Sequence, residues 1–186
     1  MINTEHDFVP FPKIPRLRNE LVVVTEKLDG SNAQILITPE GEVRAGSRNR
    51  WITPGKDTDN YGFAAWVEEN KADLRGLGAG RHYGEWYGYG VGPRGYGLPD
   101  RRWALFNTFR TVECMPPKVQ VVTKLYEGTG MGLTDIVARL MEDLKTNGSK
   151  HVPGYMRPEG LVVYSCLTKT RYKVLCENDD GHKGEQ

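Results

Sequence analysis

Two runs of strand character, Leu21-Val22-Val23-Val24 and Ala33-Gln34-Ile35-Leu36-Ile37, are separated only by Thr25-Glu26-Lys27-Leu28-Asp29-Gly30-Ser31-Asn32. A β-branched run followed so soon by an alternating one leaves no room for a helix between them, so both read as strands. Lys27 then sits where one strand ends and the next begins. A lysine held there, with a carboxylate two residues on and a glycine after it, suits a covalent nucleophile. The same residues also suit an ordinary hairpin, in which Asp29-Gly30 makes the tight turn and Lys27 is merely exposed. The rest of the chain has to choose between them.

Downstream, Pro39-Glu40-Gly41 turns the chain and Val43–Arg48 returns as a third strand. Asp59 is placed to cap a helix over 60–74, with Phe63, Trp66, Val67 and Leu74 on its buried side. Further strands are predicted over 82–87, 103–109, 119–126, 160–166 and 171–176. A second helix starts near Thr134, with Val137, Leu140, Met141 and Leu144 at helical spacing and Gly148 closing it. Strands dominate and do not alternate with helices. That pattern predicts an α+β fold in which antiparallel sheets face each other across a cleft, with a few flanking helices.

The 186 residues suit a single domain, 1–186, able to bury a core. A net charge of +1 gives no global field, so any nucleic-acid grip must come from cations gathered on one face. No apolar run is long enough to span a membrane and the N-terminus does not resemble a secretory signal, so a cytoplasmic location is expected. Cys114, Cys166 and Cys176 lack zinc-ligand spacing and read as reduced thiols. Phe8–Leu17 is broken by Pro10, Pro12 and Pro15 and is locally basic through Lys13 and Arg16, with Arg18 just beyond, which suits a surface wrap or a nucleic-acid contact. The tail after Cys176 is polar and expected to fray.

Six stretches, in order, now carry a resemblance. Glu26-Lys27-Leu28-Asp29-Gly30 resembles the lysine motif of the covalent nucleotidyltransferases, the polynucleotide ligases and messenger-RNA capping enzymes. Ser47-Arg48 is similar to the arginine motif that follows it, Gly84-Glu85-Trp86-Tyr87-Gly88 to the glutamate motif, and Leu105-Phe106-Asn107 to the aromatic motif. Pro158-Glu159-Gly160-Leu161-Val162-Val163-Tyr164 resembles the metal-side glutamate motif, and Arg171-Tyr172-Lys173 the closing basic motif. A lone KxDG string is weak; all six in family order, from Leu21 to Lys173, are not.

The resemblance implies a ligase-type nucleotidyltransferase domain, ATP-grasp-like in its sheets, with ATP and Mg2+ or Mn2+ as cofactors. It assigns Lys27 as the nucleophile on the α-phosphate, Arg48 to the nucleotide side, Glu85 to the ribose, Phe106 to the purine and Glu159 to the metal. Glu26 would take the adenine amino group, favouring ATP over GTP. An amine attacks only when neutral, and cations such as Arg171 and Lys173 favour that form while balancing phosphate charge. Taken singly, each of these residues also has a plain reading: a salt-bridge or surface glutamate, a core phenylalanine, a solvated basic strand face.

Asn107 stands where the aromatic motif usually has an acidic residue, which makes Phe109 a rival to Phe106. Arg50 replaces a frequent glycine, and Arg171 a frequent lysine that, unlike arginine, could shuttle a proton. Only thirteen residues follow Lys173, too few for the oligonucleotide-binding barrel or helical domain of larger relatives. The expectation is therefore a small, viral or phage-like ATP-dependent RNA ligase, in the host cytoplasm if viral, joining 5′-phosphate to 3′-hydroxyl ends of RNA rather than DNA. A partner protein that supplies the missing domain stays open. The Gly- and Tyr-rich stretch 83–100 reads as a loop near the cleft, and Arg48, Arg50 and Arg94 as cleft-side cations that would grip the nucleic-acid strand. The alternatives are a DNA ligase core, a GTP-using capping enzyme and an inactive nucleic-acid-binding module.

Overall fold

The computed structural model describes residues 10, 11, 13, 20–109 and 115–177. Most of the Phe8–Leu17 segment, Arg18, Cys114 and the tail beyond Glu177 lie outside the described residues. In chain order the strands are β1 (Leu21–Lys27), β2 (Ser31–Ile37), β3 (Val43–Ser47), β4 (Gly80–Gly88), β5 (Arg101–Leu105), β6 (Val119–Val121), β7 (Lys124–Thr129), β8 (Gly160–Ser165) and β9 (Arg171–Leu175). The helices are α1 (Phe63–Glu69), α2 (Lys71–Leu74) and α3 (Leu133–Asn147).

They build two sheets. The first has the order β7-β1-β8-β9 and the second β3-β2-β4-β5-β6. All pairings are antiparallel except β5 with β6, a parallel edge that the antiparallel expectation did not include. The strand predicted over 119–126 is two strands, β6 in the second sheet and β7 in the first. The break falls at Val122 and Thr123, where the Thr123 carbonyl accepts the Glu26 N–H (3.0 Å) and the β1–β7 register shifts. The predicted strand 103–109 ends at Leu105, leaving Phe106 just outside it and Phe109 in a turn.

Each sheet buries one face under a helix. Trp86, Trp103, Leu105, Ile35 and Ala45 of the second sheet pack with Phe63, Trp66 and Val67 of α1. Val24, Leu161 and Val163 of the first pack with Met141 and Leu144 of α3. The other two faces look toward each other and meet at one end through Leu28, Tyr87, Tyr96, Ala104, Val122 and Val152. Beyond that apolar seam the facing sides turn exposed at Arg81, Tyr83 and Lys173, which marks a cleft between the sheets.

The expected helix 60–74 is shorter and broken into α1, α2 and a 3-10 turn over Arg75–Leu77. Asp59 still caps it: its carboxylate accepts the Ala64 (2.7 Å) and Ala65 (3.0 Å) N–H groups across Gly62, which takes φ 74°. Helix α3 runs where its periodicity places it and stops at Gly148, φ 76°.

Candidate active site

Lys27 is the last residue of β1 and pairs across the sheet with Gly160, next to Glu159. The pairing brings the Lys27 ammonium to 2.7 Å from Glu159 Oε2, with both side chains partly exposed. Gly160 has φ 153°, and a Cβ there would lie 2.0 Å from the Val174 carbonyl oxygen. Only glycine lets β9 come this close beside the ion pair.

Leu28, buried in the inter-sheet seam, anchors the turn that follows. The Asp29 N–H donates to the Tyr96 hydroxyl (2.6 Å), and its carboxylate pairs with Arg94 Nε at 3.1 Å. Arg94 is thus held beneath the turn, its side chain only 15% exposed, and is not the open strand-facing cation expected. A Cβ at Gly30 would strike the Trp86 carbonyl oxygen at 2.3 Å, so glycine is required where the turn crosses β4.

That crossing sets Glu85. Along β4, Arg81, Tyr83 and Glu85 alternate with buried His82, Gly84 and Trp86, which puts the first three on the cleft face. Burial pushes the Glu85 carboxyl up to about 7; Glu159 adds to the rise, while Lys27, Arg48 and the Gly30 N–H oppose it. Four residues far apart in sequence, Lys27, Arg48, Glu85 and Glu159, therefore share one electrostatic neighbourhood.

A measurable consequence follows from the sign of that shift. A native carboxyl raised from 4.5 to about 7 holds its proton more tightly than the unfolded chain does. Its contribution to stability is full below pH 4.5 and is lost as pH rises through about 7. Glu85→Gln keeps the shape and cannot ionise, so it should stabilise the ligand-free protein by about 1–3 kcal/mol near pH 8 and far less near pH 5. Urea unfolding of both proteins at the two pH values checks this; an equal difference at both would sink it.

Glu26 is placed differently from the sequence expectation. Adjacent strand residues point to opposite faces, so Glu26 cannot line the cleft with Lys27. It is 1% exposed, on the α3 side. Its Oε1 accepts the Ser149 hydroxyl (2.5 Å), and its Oε2 accepts the N–H groups of Lys150 (2.7 Å) and His151 (2.8 Å). A carboxylate so engaged is an anchor for the 149–151 loop, and the expected contact with an adenine amino group does not fit this geometry.

His151 carries the loop's link to the second sheet. The Tyr87 hydroxyl donates to Gln120 Oε1 (2.7 Å), leaving His151 Nε2 to donate to the tyrosine oxygen (3.0 Å) and Nδ1 to accept from Thr123 Oγ1 (3.0 Å). Burial, with Arg102 adding, holds the imidazole down to about 4, so it stays neutral. Ser149 and His151 were not singled out from the sequence, while Tyr87 stood only within the glutamate motif and Tyr96 only within the Gly- and Tyr-rich stretch. For the 149–151 loop the hint was polar Ser149 directly after the helix-ending Gly148, and nothing in it points to Glu26.

The remaining candidates spread over the cleft. Lys173 is exposed and lies on the Lys27 face of the first sheet, two strands over and one row along, about 10 Å across and 7 Å lengthwise. Arg171 is a further row away, its guanidinium 4.8 Å from the Tyr164 ring centroid. Phe106, 38% exposed, continues β5 beside Tyr83, whose carbonyl accepts the Phe106 N–H (2.9 Å). Phe109 sits instead under the Lys124 ammonium, 5.8 Å from its ring centroid.

Among the described residues, no group of three or more His, Cys, Asp or Glu is placed to hold a metal. One accessible carboxylate, Glu159, with Glu85 nearby, fits a hard cation that brings phosphate oxygens with it rather than one caged by protein. No helix among the described residues is long and apolar enough to cross a membrane.

The family model for RNA ligases matches residues 20–175, which takes in both sheets and every site residue above. The chain belongs to the RNA ligase family. Solved structures agree in fold. An archaeal ATP-dependent RNA ligase superposes with a TM-score of 0.55 at 19% identity, over 88% of this chain and 47% of its own. A Naegleria gruberi RNA ligase mutant in its apo form gives 0.54 at 19%, over 85% and 50%. A Naegleria gruberi RNA ligase mutant with ATP and Mn gives 0.52 at 16%, over 85% and 49%. The chain thus spans about half the length of those proteins. No curated protein matches it.

Proposed function

We propose that the chain is an adenylation domain that joins RNA ends at the expense of ATP. The observation that carries this reading is the Lys27–Glu159 pair, 2.7 Å apart at the mouth of a cleft, with Glu85 and Arg48 in the same field. ATP as the nucleotide draws support from the archaeal structure, named as an ATP-dependent RNA ligase.

In this reading the Lys27 amine attacks the α-phosphorus, a P–N bond forms, the bond to the β-phosphate oxygen breaks and pyrophosphate leaves. A 5′-phosphate oxygen then displaces the lysine and takes the AMP. A 3′-hydroxyl attacks that phosphate, closing the phosphodiester and releasing AMP. Lys173 and Arg48 balance charge on the phosphates, Glu85 accepts from the ribose, and Arg171 extends the basic face. A divalent cation at Glu159, Mg2+ or Mn2+, would supply phosphate neutralisation when bound.

The test uses ATP labelled on the α-phosphate. Label should stay on the protein, resist base and be released by acid, as a phosphoramidate is, and should then move to RNA bearing a 5′-phosphate. Equal labelling by GTP would turn the reading toward a capping enzyme, and faster sealing of an all-DNA nick than of every RNA-containing one toward a DNA ligase. Phe106→Ala should weaken ATP binding by about 1–3 kcal/mol, the range for losing a stacked base; titration calorimetry measures it, and an unchanged affinity would pass the stacking role to another residue.

A further inference from the structure

We propose that the cleft face of the second sheet carries a stacking platform for unpaired RNA, with Trp51 and Tyr83 as the base-stacking residues and Arg81 as their cation. The proposal rests on the RNA ligase reading and assigns the surface on which the strand would lie.

The register defines it. Gly46 of β3, Gln34 of β2 and Tyr83 of β4 stand in one cross-strand row, and Phe106 follows in the same row beyond β5. Trp51 bridges back onto Gly46, so its ring rests where a side chain at that position would be. A Cβ on Gly46 would lie 3.2 Å from the Trp51 ring and 2.8 Å from Gln34 Cγ. Arg81, one row along on the same face, fixes the arrangement: its guanidinium lies 5.3 Å from the Trp51 ring centroid and donates to Gln34 Oε1 at 2.7 Å.

Three rings held in one row are left in water: Trp51 is 46% exposed, Tyr83 49% and Phe106 38%. The other tryptophans, Trp66, Trp86 and Trp103, are all buried. Cross-strand ring pairs do stabilise sheets by contact, but among the described residues no ring–ring contact joins these three. The rings that do pack on one another include Phe63, Trp66, Trp86 and Trp103.

The chemistry around the row selects the occupant. Arg81 lies over the Trp51 ring, and Arg48 and Arg50, close to Trp51 in the chain, are exposed; aromatic faces joined with cations suit stacked bases with phosphates alongside. From Gly46 to Phe106 the row crosses three strand spacings, about 15 Å. A single nucleotide stacked on Phe106 does not reach Trp51 over that span. A short unpaired strand does, as on other open sheets whose aromatics stack two or three bases. Paired bases present no free face, so the platform takes single-stranded rather than duplex RNA.

The probe is a short oligoadenylate with a 5′-hydroxyl, which binds but cannot be adenylated. With Trp51 as the exposed tryptophan, stacking should quench the protein's fluorescence. Trp51→Ala should remove that quenching. Tyr83→Ala should weaken binding roughly 5- to 150-fold, the range for one lost base stack, and Tyr83→Phe should restore it. An abasic strand of equal length, which keeps the phosphates and loses the bases, should bind weakly without quenching. Labelling by ATP should stay at the wild-type level in all three variants, which shows that they fold.

Equal binding of the abasic strand, equal binding of duplex RNA, or unchanged affinity in Tyr83→Ala would each overturn the platform. Normal labelling with no quenching sinks the platform and leaves the ligase reading standing. Quenching without any labelling does the reverse.

Discussion

Lys27→Ala should leave the folded protein intact and abolish retention of AMP, a loss of at least about a thousandfold in the rate of self-adenylation. In the proposed mechanism the mutation removes the attacking atom, so no residual pathway to a phosphoramidate remains at this position. Its structural cost is small. The Lys27 side chain is 25% exposed and its partner Glu159 is 18% exposed, so the carboxylate left behind can turn to water. Partly exposed ion pairs of this kind contribute about 0–1 kcal/mol. Lys27→Arg should fail equally: a guanidinium keeps its proton and offers no free amine, although it can still pair with Glu159. Labelling with α-phosphate-labelled ATP, run beside urea unfolding, reads both effects. Label on Lys27→Ala at the wild-type level would mean that another side chain is the nucleophile.

The parts of this fold written in local pattern were legible from the sequence. The valine run of β1, the alternation of β2 and the helical spacing of Val137, Leu140, Met141 and Leu144 each depend on near neighbours in the chain. What distant residues impose was not. Residues 119–126 read as one continuous strand; the break comes from Thr123 turning its carbonyl to Glu26 and Val122 entering the seam between the sheets. The same holds for the site. The identities of Lys27, Glu85 and Glu159 were visible as motifs, but their meeting rests on Gly30 and Gly160 letting backbones approach where any side chain would collide.

Glu26 shows a subtler failure, because the information was present. Val22, Val24 and Glu26 share one parity and Val23, Thr25 and Lys27 the other, so the strand period alone sets Glu26 and Lys27 on opposite faces. The uniform valine run hid that parity, since both of its faces are apolar. Arg94 was misplaced for another reason: its partner Asp29 lies in a turn that only the folded loop 89–100 reaches.

Glu26→Ala should therefore cost stability rather than nucleotide choice. Three donors converge on its carboxylate from Ser149, Lys150 and His151, and at 1% exposure no water replaces the lost oxygens. Hydrogen bonds to a buried charged group contribute about 1.5–3 kcal/mol each, and donors left unpaired in the interior are penalised further. Some relaxation of the loop offsets this, so a loss of about 3–5 kcal/mol in unfolding free energy is expected. Glu26→Gln should lose less, because its amide oxygen still accepts from the two N–H groups while its NH2 meets the Ser149 hydroxyl, which can rotate to accept. That milder variant supplies the test. It should unfold at lower urea than the wild type and still prefer ATP to GTP in the labelling assay. A Glu26→Gln protein with wild-type stability that takes GTP as readily as ATP would return Glu26 to the adenine, and would mean that the 149–151 loop opens to let the base in.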